Sequence, residues 1–165
     1  MTPKELAHHK TAAKQLLGVP VFKPLKRNKL PKPLHKMGSA RLMSTDLLSV
    51  SDTHRAVLMW RDGETLQDSA FMAWLFCVLE NQSLYPLFEL HFHPSHKGVH
   101  CKMPCETAPD YTNRRLPGAP ELDLLTLDGL DPRVDVDRQK LTLQFCKVCG
   151  ITLASEKDTW TLPLA

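Results

Sequence analysis

The stretch Thr65–Asn81, TLQDSAFMAWLFCVLEN, decides how the rest of the chain is arranged. Thr65 followed three residues later by Asp68 has the pattern of a helix N-cap. The ten residues Ala70–Leu79 that come next are apolar on every side of a helical wheel. This pattern predicts a helix that runs to about Asn81 and lies buried at the centre of the fold. Trp74 and Phe76 are then core side chains, and Cys77 is a buried structural thiol. Ten apolar residues are too few to span a bilayer, which takes about 20, so no membrane association is expected.

Strands are expected on either side of this segment. Arg55–Trp60, RAVLMW, reads as a strand closed by the turn RDGE. Leu84–His93, LYPLFELHFH, alternates: Leu87, Glu89, His91 and His93 share one face, and Phe88, Leu90 and Phe92 share the other. PSHKG is a turn, and VHCKM returns as the second strand of a hairpin. The fold class expected is α+β, an antiparallel sheet packed on the buried central helix.

The two ends differ in character. Residues 1–45 carry ten Lys/Arg and one acid, a net +9, whereas residues 46–165 carry eleven Lys/Arg and seventeen acids, a net −6. Two units are therefore expected: a basic, proline-rich arm at 1–45 and a single α+β domain at 46–165. Within the arm, Thr2, Glu5, Pro3 and Gly18 mark a short helix through a capping box, an N1 proline and a glycine exit. Val19–Gly38 has four prolines and no period, so it reads as an extended segment projecting Lys23, Lys26, Arg27, Lys29, Lys32 and Lys36. That pattern suits a phosphate-tracking arm for nucleic acid, or a strap lying on the chain's own acidic segment. Residues 106–140 read as a long acidic loop, which also contains Arg114 and Arg115, a candidate pair for phosphate. Its acidic spacing matches no calcium loop.

The cysteines and histidines carry the chemistry. Cys146-Lys147-Val148-Cys149-Gly150 sits between two alternating apolar segments, and thiols at that spacing can wrap one tetrahedral ion. Over about fifteen residues it resembles the knuckle of zinc-ribbon proteins, which implies a Cys-x-x-Cys-Gly hairpin near the C-terminus with a strand on each side. A structural zinc site needs four ligands, and Cys101 and Cys105, bent together at Pro104, are the candidates to complete it. The expected set is Cys101, Cys105, Cys146 and Cys149, with His100 as the nearest variant.

His91, His93 and His100 form a second candidate, for acid/base catalysis or a divalent ion with Glu89 beside them. Strand register decides their grouping: His93 opposite Val99 leaves His91 facing Cys101, and His93 opposite His100 clusters the three. His96 lies at the turn, and His8, His9, His35 and His54 have no supporting context.

Two functions follow. One is a small zinc-stapled domain that binds nucleic acid or a protein partner, its metal structural. The other is a histidine-dependent nuclease of toxin-ribonuclease type using His91, His93 and His100. No activated nucleophile or glycine-rich phosphate loop favours an enzyme, and no helix-turn-helix or finger spacing favours sequence-specific recognition. Reduced cysteines and the lack of an N-terminal apolar run point to the cytoplasm.

Overall fold

The run Ala70–Val78 is a strand. The computed structural model describes residues 2–95, 98–102, 127 and 129–154. In it the Thr65–Asp68 signal leads into a single 3-10 turn, Leu66–Asp68, and the expected central helix is replaced by the strand Ala70–Val78. The physical reason is cover on both sides. A strand packed on both faces loses its polar alternation and reads as a continuous apolar run, indistinguishable by period from a buried helix. Trp74, Phe76 and Cys77 are buried, as expected.

Chain order is α1 Pro3–Thr11, β1 Lys14–Leu17, β2 Lys23–Pro24, β3 Leu42–Ser44, β4 Leu48–Ser49, β5 His54–Arg61, β6 Ala70–Val78, β7 Leu84–His93, β8 Gly98–Lys102, α2 Asp135–Val148 and β9 Ile151–Ala154. The class is mixed α+β. The main sheet runs β2-β3-β5-β6-β7-β8, entirely antiparallel, with β4 added to β5. A separate parallel pair joins β1 to β9, Lys14 opposite Ile151 through Leu17 opposite Ala154. No described helix is long and apolar enough to cross a membrane.

Helix α1 has the expected capping box, with Glu5 N bonded to Thr2 Oγ1 at 3.2 Å and Glu5 returning to Thr2 N. It stops at Thr11 rather than Gly18, because residues 14–17 join a sheet. Lys14 folds its ammonium back onto the carbonyls of His9, Lys10 and Ala12, which satisfies acceptors left open by the helix end.

The zinc-ribbon-like hairpin is absent from this arrangement. The residues before Cys146 belong to helix α2, and the strand after Cys149 pairs with β1. Leu141, Phe145 and Val148 recur at i, i+4 and i+7 and bury one helical stripe, a period that the β-like composition of LTLQF obscures. Asp135 and Asp137 lie in the first turn of α2, where acids favour the helix dipole and where Arg138 and Lys140 pair with them. The expected acidic loop therefore gives way to helix at Asp135. Residues 106–126, like Trp160 and Leu162, lie outside the described residues.

Two cores form, one on each side of the sheet. On one side Leu6, Leu16, Leu141, Phe145, Val148 and Ile151 cover Leu58, Phe71, Leu75, Phe88, Leu90 and Phe92. On the other, Leu25, Leu30, Leu34 and Leu42 cover Val57, Met59, Trp74 and Phe76. The proline-rich arm is thus laid across the sheet by its leucines. Each fully buried leucine contributes about 1.5–3 kcal/mol, so Leu25, Leu30 and Leu34 outweigh the exposed Lys23–Asp46 pair as the anchor. At the opposite end, Gly150 adopts φ +62°, and a side chain there would meet Lys10 O at 2.6 Å. Glycine lets the α2–β9 turn close on the end of α1.

Candidate metal centre on the β7–β8 hairpin

Register across the hairpin differs from both expected alternatives. His91 faces His100, Phe92 faces Val99 and His93 faces Gly98, a two-residue shift from the clustered alternative. A two-residue shift preserves which face each side chain takes, so His91, His93 and His100 still share one side. Gly98, at φ +55°, opens the returning strand.

The three imidazoles gather closely. Ring centroids are 5.0 Å apart for His91–His100, 5.2 Å for His93–His100 and 6.1 Å for His91–His93. One ring nitrogen from each lies within 4.8 Å of the other two, and all three residues are half-buried. Three nitrogens at 2.0–2.1 Å from a tetrahedral ion stand about 3.3 Å apart, so small χ rotations close the set on a metal. Among the described residues this is the group of His, Cys, Asp and Glu that converges as a ligand set.

Two neighbours flank His91. Glu89 Oε2 lies 3.4 Å from His91 Nε2, outside hydrogen-bond geometry. Trp74 meets the His91 ring edge-on at 5.3 Å between centroids.

The cysteines take the other side. Cys101 is opposite Leu90 on β8, facing inward, and it is fully buried, as are Cys146 near the end of α2 and Cys149 at its C-cap. Burial pushes the Cys101 and Cys146 thiols up to about 12. Cys149 is raised well above its ordinary value by burial and then by Cys146, with Lys10 and Lys14 opposing. Cys146 and Cys101 both add to the rise at Cys149, but the three do not converge as a close ligand set, and Cys105 lies outside the described residues.

Lys23, Lys26, Arg27, Lys29, Lys32 and Lys36 are all exposed. Arg114 and Arg115 lie outside the described residues. Trp74 pairs with Glu89 and Met72 with His91 across β6 and β7, so the histidines occupy the sheet face on which the arm is laid.

One histidine contact has no signature in the sequence. His9 Nδ1 and His54 Nε2 are 3.1 Å apart although 45 residues separate them, and Ser51 Oγ is 2.8 Å from His54 Nδ1. Ser51 and His54 are visible as an i, i+3 pair, but nothing local announces His9.

Scans against protein-family models, curated proteins and solved structures found no match to this chain.

Proposed function

We propose that the chain is a metal-dependent hydrolase of phosphodiesters in nucleic acid, with its ion held by His91, His93 and His100. The observation that carries this reading is the convergence of three imidazole nitrogens within 4.8 Å on a half-buried strand face. Three histidines leave a coordination position open, the mark of a reactive site rather than a structural staple. A bound zinc-class ion supplies a Lewis acid and a water activated near neutral pH. The chain's own contributions are positional: Glu89 and Trp74 flank His91, and the exposed lysines of the arm draw a polyanion to the same sheet face. The free thiols Cys77, Cys101, Cys146 and Cys149 agree with a cytoplasmic setting.

The test is metal binding followed by turnover. Metal-stripped protein titrated with zinc against a chromophoric chelator should bind one ion per chain, and His93→Ala should lose it. Zinc-loaded wild type should then cleave labelled RNA or single-stranded DNA where His93→Ala does not. Failure to bind zinc, or equal cleavage by both proteins, overturns the reading.

Cys101, Cys146 and Cys149 share one buried core, which leaves room for a second reading: a structural zinc held by these cysteines with Cys105, in a domain that binds nucleic acid or a protein partner without catalysis. One zinc per chain that survives His93→Ala and is lost in Cys149→Ser selects it.

A further inference from the structure

Far from the β7–β8 hairpin, three polar side chains form a line that the proposed metal chemistry does not use. Ser51 Oγ lies 2.8 Å from His54 Nδ1, and His54 Nε2 lies 3.1 Å from His9 Nδ1. Ser51 borders an open surface cavity of about 750 Å³, whose lining includes Lys14, Gln15, Arg55 and Thr152. We propose that Ser51 is a histidine-activated nucleophile for small carboxylic esters and related electrophiles that enter this cavity.

Each element holds its part for a physical reason. Ser51 sits in the turn between β4 and β5, and His54, 4 % exposed, opens β5. Arg55 fixes that turn by donating to the carbonyls of Ser51 at 2.8 Å, His54 at 2.8 Å and Asp52 at 3.3 Å. It is a positioning residue, holding the serine against the imidazole. His9 reaches in from the last turn of α1. Nucleophile, base and a third group orienting the base make up the arrangement that activates a serine.

The order of the bonds sets the proton path. With His54 neutral, the Ser51 hydroxyl donates to Nδ1 and Nε2–H donates to His9 Nδ1. As Ser51 Oγ bonds to the ester carbonyl carbon, its proton moves to His54 Nδ1 and the Nε2 proton moves to His9. His54, whose buried ring tolerates charge poorly, stays neutral. The positive charge appears on His9, which is more exposed than His54, with partial burial, His8 and Lys14 opposing that charge and Glu5 favouring it. Collapse of the tetrahedral adduct breaks the bond to the leaving alkoxide, and the proton returns through the same line to form the alcohol. Water then repeats the attack on acyl-Ser51, releasing the carboxylic acid and restoring the hydroxyl.

Thr53 Oγ1 also approaches His54 Nδ1, at 3.2 Å, and Ser49 borders the same cavity. The test must therefore locate the modified atom. The full-length protein is treated with a fluorophosphonate probe, in which the serine oxygen bonds to phosphorus and fluoride leaves, and the labelled peptide is sequenced by mass spectrometry. Label is expected on Ser51, absent in Ser51→Ala, and reduced at least tenfold in His9→Asn, with wild-type circular dichroism and melting temperature in both variants. The labelling rate in wild type should rise with pH through the range in which His9 loses its proton, and this dependence should disappear in His9→Asn. His93→Ala should label as wild type does, which separates this site from the proposed metal centre. Label on Thr53 or Ser49, no label above that of a heat-denatured control, or an unchanged rate in well-folded His9→Asn overturns the proposal.

Discussion

His100 and Cys101 are adjacent in sequence and face opposite sides of the sheet. His100 joins two other imidazoles on the half-buried side, and Cys101 is fully buried in the core against the helices. The same division separates His91 from Leu90 on the neighbouring strand. Two residue types that both bind zinc are thus sorted by strand alternation into different environments. On one side three half-buried imidazoles gather. On the other a thiol is held protonated and behaves as a small apolar side chain.

The largest effect that tests this division is on stability. Leu90→Ala should destabilise the metal-free protein by about 2–5 kcal/mol, whereas His91→Ala, its neighbour on the other face, should cost far less. Urea denaturation of both variants measures the contrast, and comparable losses would break it. Metal should separate the two variants in the other sense. Zinc at one hundred times its dissociation constant should stabilise wild type and Leu90→Ala by about 2.7 kcal/mol and leave His91→Ala unmoved. Thermal melts with and without the ion report this.

A chemical contrast comes next. In the native protein at pH 8, Cys101, Cys146 and Cys149 should resist iodoacetamide, because the reactive thiolate is scarce when burial raises Cys101 and Cys146 to about 12 and lifts Cys149 well above its ordinary value. In denaturant the same cysteines should label readily, as peptide mapping would reveal. Fast native labelling of Cys101 would place it on the wrong face.

The smallest effect concerns an imidazole placed on the inner side. His54 pairs with Cys77 across β5 and β6, and burial, then Lys14 and His9, hold it down to about 4. Below the ordinary value of 6.5 the unfolded chain takes up a proton that the folded chain refuses. The His54 contribution to stability should therefore be level above pH 7 and fall as pH drops from 6.5 towards 4. His54→Gln should flatten that slope in a series of melts.

The sequence disclosed the hairpin better than the centre of the sheet. Glu89, His91 and His93 alternate with Leu90 and Phe92 because one side of β7 is half-open, and that alternation survives in the sequence. β6 has no open side, so Ala70–Val78 lost the signal and resembled a helix. α2 failed in the opposite direction: Thr142, Phe145, Cys146 and Val148 are common in strands, and tertiary packing overrode that preference. The grouping of the three histidines was legible as one of two alternatives. The register that produces it was not, because the turn PSHKG admits several lengths of loop. The line Ser51–His54–His9 was closed to sequence reasoning, since one member arrives from another element entirely.

The parallel pairing of β1 with β9 has a consequence for how the chain reaches this state. Lys14 cannot find Ile151 until nearly everything between them has been synthesised, and a loop that long is costly in entropy to close. β5, β6 and β7 can pair as they emerge, each next to its predecessor, so the antiparallel sheet is the natural early structure. The first strand must wait for the ninth. Until it arrives, the α1 side of the sheet is open, and a ribosome-bound fragment ending before Ile151 should expose that apolar face to chaperones.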